Sequence, residues 1–246
     1  MNLSQVLFSQ GMGTRRECEA LIASGQVAIA GAVCSDPWQE FDETGLEYSV
    51  AGRPWTYRAR AVLVLNKPTG VECSQKPKHH PSVYSLLPTP LRRRGVQAIG
   101  RLDEDTTGVL LFTDDGTLIH RLTSPKHHVP KIYEVACKHP VDAAQVERLL
   151  HGVLLHDDNE TVRAEACEAT GAQTLRLTLT EGKYHQVKRM IAAAGNRVDG
   201  LERSAFGTVR LDGLAPAAWR WLSDDEEASL AKRATRIAGA AATHAT

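Results

Sequence analysis

One stretch of the sequence, residues 96–116, constrains the fold more than any other. It reads V-Q-A-I-G-R-L-D-E-D-T-T-G-V-L-L-F-T-D-D-G. An apolar run precedes three consecutive acids at residues 103–105, and a second apolar run follows at residues 109–112. This order predicts a strand, an acidic loop and a second strand. A carboxylate that directly follows a buried strand is a candidate reactive group, and strand alternation would place Arg101 on the same face as Asp103.

The acidic run alone leaves an ordinary polar loop as the alternative, because short side chains with oxygen atoms favour turns. Its spacing also resembles the first half of a calcium-binding loop, but the flanking residues are strand-like rather than helical. The adjacent histidines at residues 79–80 and 127–128 lack both the helical spacing and the cysteine partners of zinc sites. The sequence therefore predicts no metal site.

The composition favours a cytoplasmic protein. Lysine plus arginine and aspartate plus glutamate both number 29, so any RNA-binding surface must be a local patch. The five cysteines are odd in number and include no C-x-x-C pair, which is typical of reduced thiols in the cytosol. No apolar run approaches the length that spans a membrane, and the first residues lack the pattern of a signal peptide.

The first 57 residues are predicted to form a small separate unit. Leu3, Val6 and Leu7 recur at helical spacing, and Thr14 is a good N-cap for a second helix. Glycines and short apolar runs at residues 25–33 then indicate a tight hairpin. We expect one domain at residues 1–57, a larger one at 58–230 and a disordered tail at 231–246.

The larger unit mixes strand and helix patterns. Residues 142–150 have the periodicity of an amphipathic helix, and Leu175, Leu177 and Leu179 alternate with polar residues as in a half-exposed strand. A basic segment at residues 183–189 opens another helix, for which Gly195 is a good C-cap. Three arginines at residues 92–94 are candidates for phosphate contacts.

Several of these segments resemble one enzyme family. G-R-L-D-E-D-T-T-G-V-L-L-F-T-D-D-G, at residues 100–116, resembles the catalytic motif of pseudouridine synthases, specifically the RsuA and RluB/E/F group that modifies ribosomal RNA. E-G-K-Y-H-Q-V-K-R-M at residues 181–190 and L-E-R at residues 201–203 resemble two further motifs of that family. Residues 11–31 resemble the S4-like RNA-binding domain. The resemblance implies an α+β protein with a small S4-like domain and a larger catalytic domain on a mixed, mainly antiparallel sheet.

The resemblance also implies a set of site residues. Asp103 would be the catalytic carboxylate, Lys188 its cationic partner, Tyr133 the ring against the target base and Leu201 the side chain that closes the pocket beneath it. The expected RNA-binding residues are all basic: Arg15, Arg16, Lys67, Arg101, Lys126, Lys131 and Arg189. The implied substrate is one uridine of small-subunit (16S) ribosomal RNA, met in a partly assembled particle. We expect a monomer that needs no cofactor.

Alternatives remain at this stage. A member of the same family could act on large-subunit (23S) ribosomal RNA, because such relatives share the catalytic motifs. A glycosidase would pair Asp103 with a second acid, but it would leave the basic segments and the N-terminal unit unexplained. A non-catalytic RNA-binding assembly factor would keep the basic segments and would not need Asp103. Within the enzyme hypothesis, a covalent route and a glycal route are both open.

Overall fold

The computed structural model describes residues 1–155 and 159–231. Within these ranges no helix is long and apolar enough to cross a membrane. No group of three or more His, Cys, Asp or Glu side chains in the same ranges is arranged to hold a metal ion. The tail predicted at residues 231–246 lies, except for its first residue, outside the described residues.

The N-terminal residues form two helices and a small antiparallel sheet. The helices are α1 (Leu3–Ser9) and α2 (Arg15–Ala23), and the strands are β1 (Val27–Ile29), β2 (Ala32–Cys34), β3 (Glu47–Val50) and β4 (Arg53–Thr56), in the sheet order β2-β1-β3-β4. Thr14 accepts a hydrogen bond from the amide of Glu17, and the Glu17 carboxylate accepts one from the amide of Thr14. This capping box confirms the predicted start of α2. The two helices and the sheet enclose their own apolar cluster.

The rest of the chain forms a second, larger sheet. Its strands are β5 (Val62–Lys67), β6 (Gln97–Ile99), β7 (Thr107–Thr113), β8 (Lys131–Cys137), β11 (Ala166–Gly171), β12 (Thr174–Leu179), β13 (Val198–Phe206), β14 (Val209–Arg210) and β15 (Trp219–Trp221). The main order is β11-β12-β8-β13-β7-β5-β15, with β6 on β7 and β14 on β13. Strands β9 (Val153–Leu155) and β10 (Glu160–Val162) pair separately.

The larger sheet is mixed and mainly antiparallel, as predicted. Its parallel contact joins β13 to β7, where Glu202 lies opposite Thr107 and Arg203 lies opposite Gly108. Gly108 has a φ of +103°, and a Cβ atom there would lie 2.3 Å from the carbonyl oxygen of Arg203. Glycine is therefore required where the acidic loop enters β7, because only glycine allows both this φ and this close approach.

Helices cover both faces of the larger sheet. They are α3 (Thr89–Arg93), α4 (Gly116–Thr123), α5 (Ala143–His151), α6 (Gln186–Ala193) and α7 (Asp224–Ala231), with short 3-10 helices at Val83–Leu86 and Pro125–His127. Alternate residues of β7 belong to two apolar clusters, Leu110 and Phe112 on the side of α6 and Val109 and Leu111 on the side of α4. Burial on both faces explains why β7 reads as a continuous apolar run.

The predicted phosphate-binding role of the arginine run was wrong for Arg94. The Arg94 side chain is 4% exposed and forms an ion pair with Asp114. Its Nη1 also donates to the side-chain oxygen of Gln10 at 2.9 Å. Arg93 donates to the carbonyl oxygen of Met12 at 3.1 Å. Both arginines contact the N-terminal residues, but the Arg93 side chain is 47% exposed and its role in phosphate binding stays a prediction.

Candidate active site

Asp103 lies in the loop between β6 and β7, at the mouth of a pocket. Its Oδ2 atom is 3.1 Å from Nζ of Lys188, and its Oδ1 atom is 3.2 Å from Nε2 of His185. Lys188 belongs to the first turn of α6, and His185 is the N-cap residue of that helix. The start of α6 thus presents two basic side chains to the same carboxylate, one to each oxygen.

Lys188 also pairs with a second acid of the loop. Its Nζ lies 2.6 and 2.9 Å from the two carboxylate oxygens of Asp105. Partial burial acts to raise the pKa of Asp105, but the hydrogen bond and the charge of Lys188 outweigh it and lower that pKa. Burial likewise opposes the ammonium of Lys188, yet its bonds to Asp105 and Asp103 raise its pKa. Lys188 is therefore held charged between two carboxylates.

Lys67 holds the acidic loop in place from below. Its side chain is completely buried, and its Nζ donates to the carbonyl oxygens of Pro68, Glu104 and Thr106 at 3.0, 3.1 and 2.9 Å. Burial lowers the pKa of Lys67, and the nearby acids oppose that shift. The prediction that Lys67 binds RNA was wrong, because its ammonium faces the loop backbone rather than the surface.

The pocket behind Asp103 is lined by apolar, aromatic and cationic side chains. Its volume is about 140 Å³, comparable to the roughly 150 Å³ cavity that admits a benzene ring. Tyr133 on β8 and Leu201 on β13 both line it, and the two strands pair directly. Alternate residues of β8 face this side of the sheet, which places Lys131 and Tyr133 on the same wall.

Two buried cations, Lys131 and Arg203, lie close to the ring of Phe206 in the lining of the pocket. Nζ of Lys131 is 5.4 Å from the centre of the Phe206 ring, and the guanidinium carbon of Arg203 is 5.3 Å from it. Lys131 is 9% exposed and donates to the carbonyl oxygen of Val129 at 3.0 Å. The sequence analysis placed Lys131 among the RNA-binding residues; its ammonium lies inside the protein and lines the pocket, so it is not a surface contact for phosphate.

Lys131 provides a test of stability against pH. Burial, with a contribution from Arg203, lowers the pKa of Lys131 from 10.5 to about 8. Between these two pKa values the unfolded chain therefore binds more protons than the folded chain. Below about pH 8 the buried ammonium destabilises the fold by its full amount, and this destabilisation disappears as the pH rises. Relative to Lys131→Met, the free energy of unfolding of the wild type should increase by about 3 kcal/mol between about pH 7 and about pH 10.5. Urea unfolding measures this difference, and parallel pH profiles would contradict it.

The remaining predicted RNA-binding residues lie in three places. Arg15 and Arg16 are exposed in the first turn of α2. Lys126 is exposed in the short helix after α4. Arg101 is exposed beside the pocket, and Arg189 is half-buried on α6 with its Nη1 bonded to the carbonyl oxygen of Tyr184.

The predicted strand alternation from Arg101 to Asp103 was wrong. Strand β6 ends at Ile99, and Gly100 turns the chain with a φ of +74°. Asp103 instead forms ion pairs with Lys188 and His185. His185 was missed by the sequence analysis, although its position three residues before Lys188 puts both on one face of a helix start.

Comparison with known proteins gives a consistent result. The family model described as RNA pseudouridylate synthase matches residues 61–193. The uncharacterized RNA pseudouridine synthase YtzG of Bacillus subtilis (strain 168) is 40% identical, over 92% of this chain and 96% of the relative. The ribosomal small subunit pseudouridine synthase A of Yersinia pestis is 37% identical, over 94% of each. A crystal structure of a pseudouridylate synthase superposes with a TM-score of 0.66 at 33% identity, covering 94% of this chain and 99% of that one.

The chain therefore belongs to the RNA pseudouridine synthase family. It is an enzyme of the isomerase class, and the acidic loop and the helix start described above lie within the residues that the family model matches.

Proposed function

We propose that this enzyme converts one uridine of small-subunit ribosomal RNA to pseudouridine, with Asp103 as its catalytic carboxylate. The observation that carries the proposal is the position of Asp103 between Lys188 and His185, at the mouth of a pocket that suits one planar base. The choice of RNA is supported by the similarity to relatives named for the small subunit, such as the one from Yersinia pestis.

The reaction requires the protein to position the uridine and to supply a charged carboxylate beside it. The bond from N1 of uracil to C1′ of ribose breaks, the base turns, and C5 bonds to C1′. The proton on C5 leaves and N1 gains a proton, so atoms and electrons balance without an oxidant or reductant. A side-chain carboxylate can start this sequence by attacking C1′ or by removing a proton from C2′. Both routes need the carboxylate to be ionised while partly withdrawn from water.

The geometry suits these requirements. Lys188 supplies an opposite charge 3.1 Å from Asp103, which offsets the loss of water around the carboxylate when RNA covers the pocket mouth. Tyr133 is 8% exposed and presents an aromatic wall to a base taken out of its stack, while Leu201 supplies an apolar contact on β13. Phosphates flanking the uridine would meet Arg101, which lines the pocket, and Arg189 on α6.

We further infer that the N-terminal unit is an S4-like RNA-binding domain at residues 1–57, joined to a catalytic domain at 58–230. Exposed Arg15 and Arg16 support this, and the guanidinium of Arg15 lies 5.3 Å from the centre of the Phe8 ring. An arginine over an exposed aromatic ring is a surface that suits RNA. The partner would be a partly assembled particle in the cytoplasm, met by a monomer, with Lys126 as a further phosphate contact.

Release of tritium from C5 of uridine tests the proposal directly, because C5 loses its hydrogen only if the isomerisation occurs. Small- and large-subunit RNA labelled at that position, free and in partly assembled particles, would be incubated with the protein. We expect release from one small-subunit substrate and none from the large subunit. Release from the large subunit alone would contradict the choice of RNA, and binding without any release would favour an assembly factor.

The same assay tests the N-terminal unit. Replacing both Arg15 and Arg16 by Ala should raise KM, leave kcat unchanged, and reduce the slope of log affinity against log salt by about 1.5. The double substitution Arg53→Ala with Arg210→Ala is a matched control, because both arginines are exposed and lie outside the proposed contacts. Equal salt slopes for the wild type and the Arg15, Arg16 variant would exclude this surface from RNA binding.

A further inference from the structure

Tyr184 has an unusual position beside the candidate active site. Its side chain is 72% exposed, the highest value among the large apolar side chains of the described residues. It follows β12 and precedes α6, so it projects from the segment that also carries His185 and Lys188. None of the roles proposed above uses this ring.

The ring is supported on one side only. The Tyr184 and His185 rings are stacked, with centroids 3.8 Å apart and planes at 21°. His185 has a φ of +47°, a left-handed conformation that is unfavourable for a residue with a side chain. The same imidazole contacts Asp103 at 3.2 Å. The imidazole therefore covers one face of the Tyr184 ring, and the high exposure leaves the other face open to solvent.

An open groove of about 730 Å³ runs past Tyr184 and joins the pocket. Arg101, Asp103 and His185 line both the pocket and the groove, so a strand whose uridine occupies the pocket continues into the groove. Lys78 and His79 also line the groove. Its lining combines an exposed aromatic ring with cationic side chains, the two features that bind single-stranded nucleic acid, although four carboxylates also line it: Glu72, Asp103, Glu104 and Asp105.

The wall that carries Lys78 is fixed in shape. The carboxylate of Glu72 accepts hydrogen bonds from the backbone amides of Lys78, His79 and His80 at 3.1, 2.8 and 2.9 Å. These bonds lower the pKa of Glu72 to about 2. The backbone from which these basic side chains project is therefore held in place at neutral pH.

We propose that this groove binds the nucleotide adjacent to the target uridine, with the free face of Tyr184 stacked on its base. When the uridine turns into the pocket, its neighbour loses a stacking partner, and the Tyr184 ring replaces that partner. Lys78 and Arg101 contact the phosphates of the same segment. Because His185 contacts both Tyr184 and Asp103, stacking on the ring also restrains the catalytic carboxylate. This inference rests on the proposed function, which supplies the uridine in the pocket.

A double-mutant cycle between protein and RNA tests the stacking. Equilibrium binding is measured in the Asp103→Asn background, so the result does not depend on turnover. The RNA is the small-subunit segment that the protein protects from nuclease, with abasic nucleotides introduced one at a time. Tyr184→Ala should weaken binding about tenfold and Tyr184→Phe by less than about twofold, because phenylalanine keeps the ring. Leu154→Ala, which removes an exposed apolar side chain outside the groove and outside residues 1–57, should leave binding unchanged.

The coupling identifies the nucleotide. At one abasic position the loss caused by Tyr184→Ala should disappear, because base and ring are then already separated. That position should be next to the uridine that becomes pseudouridine with wild-type protein. Additive losses at every position would overturn the inference, as would coupling at a position not adjacent to the modified uridine. Coupling without any pseudouridine would instead reject the proposed function, and would leave Tyr184 as an RNA contact only.

Discussion

Replacing Asp103 by Asn should reduce pseudouridine formation by more than about 10⁴-fold, the largest effect expected for any single substitution in this chain. Asparagine has nearly the same shape, but it can neither attack C1′ nor accept a proton from the sugar. Lys188 keeps its ion pair with Asp105, so the substitution does not leave an isolated cation. Binding of RNA should therefore stay within about twofold of the wild type, as measured by filter binding beside single-turnover kinetics.

Asp105→Asn is the matched control for this prediction. Asp105 pairs with the same lysine, but it is 57% exposed and does not line the pocket. We expect this change to cost less than about tenfold, which is typical of a solvent-screened ion pair. Similar losses for the two variants would mean that the charge around Lys188 matters, and that Asp103 has no chemical role of its own.

Lys188→Met should lower kcat by about 10²- to 10³-fold. The methionine has a similar length, but it removes the one ammonium that bridges Asp103 and Asp105. The two carboxylates then repel each other across the pocket mouth, and His185 is left as the basic partner of Asp103. Breaking a partly buried charge pair typically costs about 2–5 kcal/mol, which matches this loss of rate.

Lys188→Arg separates charge from packing in this test. Arginine keeps the positive charge and can bond both carboxylates, so it should restore activity to within about tenfold of the wild type. Rapid-quench kinetics at saturating RNA would measure kcat for the three proteins. A methionine variant that keeps more than about a third of the wild-type kcat would contradict the role assigned to Lys188.

Local sequence chemistry predicted the ends of several elements correctly. Thr14 begins α2 and Gly195 follows the end of α6, because caps depend on residues only a few positions apart. The alternation of Leu175, Leu177 and Leu179 likewise matches the buried face of β12. Such signals depend on residues that are close in sequence, so they do not depend on the tertiary structure of the rest of the chain.

The positions and partners of long basic side chains could not be predicted from local sequence. Lys67 is the last residue of β5 and is predicted from the sequence to be a surface cation, yet its ammonium is bonded to the backbone of a loop 37 residues away. Lys131 turns inward to the Phe206 ring, and Arg94 to Asp114. Each of these contacts depends on the order of strands in the sheet or on a loop distant in sequence. The spacing of apolar residues along the chain carries no information about either.

The candidate site likewise contains residues that were predicted and one that was not. Asp103 and Lys188 were assigned by resemblance, and they lie 3.1 Å apart in the structure. His185 was not assigned, because its contact with Asp103 depends on a left-handed backbone conformation that histidine rarely adopts. A basic residue three positions before Lys188 at a helix start was the only signal available.

The central claim is that this chain makes pseudouridine in small-subunit ribosomal RNA through Asp103. Mass-spectrometric mapping of that RNA after incubation with the wild type and with Asp103→Asn tests it most directly, with large-subunit RNA treated in parallel. We predict one new pseudouridine in the small-subunit RNA with the wild type and none with the variant. The same pseudouridine at a similar yield with Asp103→Asn would contradict the account.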